Sequence, residues 1–155
     1  MRASVRNMLQ VQQEQLASFA KFTERKQWNH IHSDHFDWYM FPIEDGSQRQ
    51  YNVLSEDVKE LKSNETWLTG YRRGVEYVAQ AWGWDVKTGT SIDSADEGQR
   101  WTRWDVRLAK MLRSLWIFGQ KDYLDNLLLF ARKIAPNGGL KYGGICLDEV
   151  FLMKL

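Results

Sequence analysis

Apolar positions recur along this chain at helical spacing, broken by short polar stretches. Over residues 3–26, Val5, Met8, Leu9, Leu16, Phe19 and Phe22 fall near one face, with Gln and Lys on much of the other. The stripe is interrupted at Gln12 and Gln13. "FDWYMFP", 36–42, is a short apolar run that suits a buried helical turn or a strand, and Pro42 ends it. "EDGSQRQ", 44–50, reads as a loop. Ser55 is a plausible N-cap for a short helix with Glu56 and Asp57 in its first turn, where negative charge suits the helix dipole.

The clearest helical signal follows. Asn64 or Thr66 caps a segment in which Trp67, Leu68, Tyr71, Val75, Val78, Ala79 and Trp82 share a face, and Gly83 is a natural stop. "KTGTSIDSADEGQ", 87–99, predicts a long exposed loop. Another helix is predicted over 102–118, with Trp104, Leu108, Met111, Leu112 and Leu115 as its apolar stripe and Gly119 at its end. Asp122 can cap the next, in which Leu124, Leu127, Leu128, Ala131 and Ile134 face inward until Pro136 and "NGG" stop it. The tail 136–155 is mixed, and Val150 to Leu155 reads as a helical turn or strand that docks on the body. The expectation is a single, mostly α domain over 1–155, with a helix at 3–26, a core over 34–135 and a docking tail over 136–155.

Composition narrows the function classes. The 155 residues suffice for one proper core, and 43% of them are apolar. Eight tryptophans supply large rings, and each indole N–H needs a partner when buried. Lys and Arg number 21 against 20 Asp and Glu, so no global charge draws the chain to nucleic acid or an anionic membrane. The one cysteine, Cys146, excludes an internal disulfide and fits a reducing compartment. No apolar run approaches the roughly 20 residues needed to span a bilayer, and the start lacks the apolar core of a signal peptide. A soluble cytoplasmic protein is expected.

Two constellations could carry chemistry. All three histidines, His30, His32 and His35, lie in "HIHSDH" beside Asp34 and Asp37. Zinc needs three or four ligands converging at about 2 Å. His30 and His32 would share a face of a strand, and His32 and His35 a face of a helix. Only a loop would bring all three together. Without HExxH or paired CxxC, the plainer reading is a polar helix start capped by Ser33 or Asp34, with the histidines partly exposed. Cys146 in "YGGIC" lacks a sequence-adjacent base and reads as a buried filler. No GxSxG, Walker or Rossmann glycine pattern occurs, and no catalytic residue is assigned.

The second constellation is "RWTRWDVRLAKMLR". On one helix, Arg103, Arg107 and Lys110 line up, Arg100 precedes them and Arg113 extends the side, which predicts a basic face beside a core face. Guanidinium forks suit carboxylate or phosphate. The alternatives are an ordinary solvated face and internal pairing with Glu and Asp from 44–60 or with Asp85. Trp101 and Trp84 flank the polar loop and would close its base or line a partner groove, whereas Trp67, Trp82, Trp104 and Trp116 read as core.

Trp38, Phe41 and Pro42 (W-x-x-F-P), then "LSEDVKEL", a Tyr-led helix running into "AWGWDV", and "RWDVRLAKMLRSLWIFG" together resemble the conserved region of the opioid growth factor receptor family, over roughly residues 34–130. The family's Asn- and His-bearing approach to its basic helix is replaced here by "GQRWTRWD". The resemblance implies a helical domain with an interaction role and carries over no catalytic residue. The expected function is therefore a non-enzymatic interaction module that meets an acidic or anionic partner, a protein above all, through Arg100, Arg103, Arg107, Lys110 and Arg113 with Trp101 and Trp84. The alternatives are a metal-dependent enzyme using zinc at His30, His32 and His35, and a sequence-tolerant nucleic-acid binder. The latter would lose affinity steeply with salt.

Overall fold

A computed structural model describes residues 3–136, 141–142 and 145–146. Five α-helices carry the fold among them: α1 (Ala3–Glu24), α2 (Ser55–Ser63), α3 (Glu65–Ala81), α4 (Asp105–Ile117) and α5 (Lys121–Ile134). Two small antiparallel pairs accompany them: β1 (Trp84–Asp85) with β2 (Thr90–Ser91), and β3 (Lys141–Tyr142) with β4 (Ile145–Cys146). The fold is mostly α, as the periodicity predicts. No helix among the described residues is long and apolar enough to cross a membrane. The tail segment Val150 to Leu155 lies outside the described residues.

The interrupted stripe of α1 has a physical reason. Gln12 is fully buried, and its Nε2 donates to the Trp67 carbonyl of α3 at 2.9 Å. The contact is tight because α3 offers Gly70 there: a Cβ at that position would stand 2.3 Å from Gln12 Oε1. One turn on, a Cβ at Gly74 would meet Met40 Cε at 2.6 Å. Two glycines thus let α1 and the 40–41 segment sit close against the backbone of α3. Trp67, Tyr71 and Phe118 stack and tilt together at 4.9–5.2 Å between ring centres, forming the middle of the core.

Two caps differ from expectation. Ser55 is the first residue of α2 rather than its cap; Asp57 accepts from the Leu54 N–H at 2.8 Å and does the capping work from inside the first turn. Asp122 lies inside α5, where Arg72 of α3 holds it through two hydrogen bonds of 2.9 and 2.6 Å. Asn64 caps α3 as read, its Oδ1 accepting from Trp67 N–H at 3.0 Å. The 27–42 stretch forms no strand; of the two readings of 36–42, the buried helical turn is the one found. The stretch makes two short 3-10 turns, Trp28–Ser33 and Phe36–Trp38, which bury Trp28, Ile31 and Phe36. Residues 87–98 are mostly exposed, as the composition suggests, and β2 runs through them.

Candidate functional site

Helix α4 starts three residues later than its sequence pattern suggests, and that shift dismantles the basic row. Arg103 precedes the helix with φ +66°, in the left-handed region that a non-glycine residue seldom occupies. Its side chain is 78% exposed, 3.7 Å from Asp105. Arg103 therefore does not share a helical face with Arg107 and Lys110.

Those two point inward. Arg107 is 7% exposed and Lys110 5%. The Arg107 guanidinium donates through Nη2 to the Asp34 carbonyl at 2.8 Å, and its Nε lies 3.4 Å from Asp37 Oδ1. Its Cζ also lies over two rings, 4.3 Å from the centre of Phe36 and 4.6 Å from that of Trp104. Lys110 Nζ donates to the Asp37 carbonyl at 2.5 Å. Burial pushes its ammonium down to about 8, against the opposing pull of Asp37. Arg113 pairs with Glu44. Ser114 completes the row: its hydroxyl donates to the Pro42 carbonyl at 2.8 Å and accepts from the Tyr71 hydroxyl at 2.9 Å.

The row expected to face a partner thus clamps the chain's own 34–44 segment. Of the cations predicted to bind, Arg100 and Arg103 remain exposed. Trp84 is buried, its Nε1 donating to the Asn126 carbonyl at 3.0 Å, and Trp101 stands edge-on to Trp82 and Phe130. Trp84 nonetheless lines a small pocket at the loop base with Glu76, Gln80, Lys87 and Ile92, while Trp101 packs among the core rings.

The histidines are separated. His30 sets its ring edge-on to Phe22, and His35 stacks on Trp38 at 4.3 Å. His32 stacks on Trp104 at 4.4 Å, with Trp82 nearly parallel to it at 5.9 Å. Trp82 Nε1 lies 3.1 Å from its Nε2, and Arg107 Nη1 lies 3.1 Å from its Nδ1. A neutral imidazole has one lone pair to offer these two donors, and a protonated one has none. Burial, then the Arg107 charge, hold this imidazole down to about 3. Among the described residues, no three His, Cys, Asp or Glu side chains gather as metal ligands would.

The other side of α4 carries what sequence reasoning missed. Trp116, expected in the core, is 41% exposed, and Leu129 of α5 is 47% exposed. Between them runs a groove of about 680 Å3 lined by Leu115, Leu124 and Leu128, with Lys121, Asp125 and Arg132 at its edge. Lys121 Nζ holds Asp125 Oδ2 at 2.7 Å, while Arg132 has no ion-pair partner among the described residues. Trp116 is steadied from behind by the Arg113 guanidinium, 5.0 Å from its ring centre. The helical pattern did hold a signal: Trp116 lies off the Leu108–Leu112–Leu115 stripe, and Leu129 follows the inward Leu128.

Comparison with known proteins finds no matching family model, no matching curated protein and no matching solved structure.

Proposed function

We propose that this chain is a non-enzymatic helical interaction module that presents its α4–α5 face to an amphipathic helix of a partner. The observation that carries this reading is the pair Trp116 and Leu129, left exposed on either side of an apolar groove. Tryptophan is the residue type most enriched at interface centres, and a groove between two helices is the ordinary receptor for a third. Arg132 on the edge, beside the Lys121–Asp125 pair, suits a partner that brings a carboxylate next to its apolar residues, which moves the contact surface from the one expected from the sequence. The resemblance of residues 34–130 to the opioid growth factor receptor conserved region, with its interaction role, supports the same class of function.

The test places a photoreactive side chain at Leu129 and, separately, at exposed Glu56 on α2, and irradiates each in an extract of the source cells. Adducts from position 129 that disappear when Trp116→Arg is added are expected. Equal adduct yield from both positions, or yield indifferent to Trp116→Arg, would remove the reading.

A further inference from the structure

We infer that the partner seated on the α4–α5 face is a second copy of this chain, so that two helix pairs meet across a two-fold axis and complete a four-helix layer. The inference rests on the reading of that face as a docking surface and names its occupant. A two-fold contact uses the same patch on both subunits, so the patch must fit itself. This one holds both halves of a fit: protruding Trp116 and Leu129, and a groove floored by Leu115, Leu124 and Leu128 that takes a ring of that size.

The charges are also self-complementary. The edge carries Lys121 and Arg132 together with Asp125, so an identical face brings carboxylate to cation. Arg132, without a partner among the described residues of its own chain, gains Asp125 of the other copy. A formal net charge of +1 sets no long-range repulsion between copies. A strongly acidic foreign partner would match Arg132 and Lys121 but would confront Asp125.

The size suits a weak dimer. With 13 and 14 residues, α4 and α5 are each about 20 Å long. Two such helices side by side offer a face of roughly 20 by 20 Å in projection, about half the ~800 Å2 per partner of a standard interface, which is the size of a weak, concentration-dependent contact. Packing four helices of this length at shallow angles is the ordinary way to bury such a face.

The experiment is sedimentation equilibrium on the full chain over a wide concentration range, for wild type, Trp116→Arg, Leu129→Glu and the double variant Arg100→Glu/Arg103→Glu. Wild type is expected to approach twice its 18.3 kDa mass as concentration rises. Trp116→Arg and Leu129→Glu are expected to stay monomeric with unchanged circular dichroism, while the double variant dimerises like wild type. As a fold-independent check, Asp125→Arg alone is expected to weaken dimerisation at least tenfold, and Asp125→Arg with Arg132→Asp to restore it. Monomeric wild type throughout overturns the inference, as does a dimer that survives Trp116→Arg. If wild type is monomeric while the photoreactive group at 129 still yields adducts of a different mass that Trp116→Arg removes, the second-copy assignment falls and the docking face stands.

Discussion

The two sides of α4 invert the usual assignment of residue types. On one side, two cations are buried and hydrogen-bonded; on the other, a tryptophan and the neighbouring leucine of α5 are left in solvent. The inward side is polar because it must hold a segment with few ladder bonds of its own. Residues 34–44 form one short 3-10 turn and otherwise irregular backbone, so their carbonyls need donors from elsewhere. Arg107, Lys110 and Ser114 supply them to Asp34, Asp37 and Pro42. The outward side holds no such segment, and among the described residues Trp116 and Leu129 stay exposed there.

Substitutions should separate the two sides by their effect on stability. The largest effect is expected from Arg107→Ala, which leaves the Asp37 carboxylate and the Asp34 carbonyl without their buried partner. A loss of about 3–5 kcal/mol in urea unfolding is expected, as for removal of one member of a buried pair. Ser114→Ala leaves both the Tyr71 hydroxyl and the Pro42 carbonyl short of a partner and should cost about 1–3 kcal/mol in the same measurement. A loss under about 0.5 kcal/mol for either would mean that the inner side is not what holds the segment.

His32 sharpens the comparison through pH. Its folded-state value lies near 3 against 6.5 for the free side chain, so between those values the unfolded chain binds more protons. Stability from this group is full above about pH 6.5 and is lost as pH falls toward 3, with a slope of up to about 1.4 kcal/mol per pH unit. His32→Gln should flatten the acid limb of the stability curve by up to that slope. An unchanged limb would show that burial and the Arg107 charge do not hold the imidazole neutral. The smallest effect is expected on the outer side: at dilutions where wild type is monomeric, Trp116→Arg should shift unfolding by no more than about 0.5 kcal/mol, while at higher concentration it abolishes association.

Local signals made the helices legible. The spacing of Trp67, Tyr71, Val75 and Val78 and the Asn64 cap identify α3 without help from the rest of the chain. The 3-10 turns at 28–38 were not legible, because a short apolar run carries no period. The fate of Arg107 and Lys110 was hidden for another reason: each donates to a backbone carbonyl 73 positions away, and a carbonyl leaves no trace in residue type. Arg103 left the row through a single positive φ, with no glycine to announce it. Trp116 was misplaced because an aromatic beside an apolar stripe is ordinarily buried with it.

The exposure of Trp116 has an optical consequence. The chain has eight tryptophans, and each of the other seven is buried or half-buried. Iodide, which quenches only indoles it can touch, will therefore address Trp116 most strongly, ahead of half-buried Trp38, Trp101 and Trp104. The quenchable fraction of the intrinsic fluorescence becomes a label-free gauge of whether the α4–α5 face is covered, readable at dilutions where sedimentation has no signal.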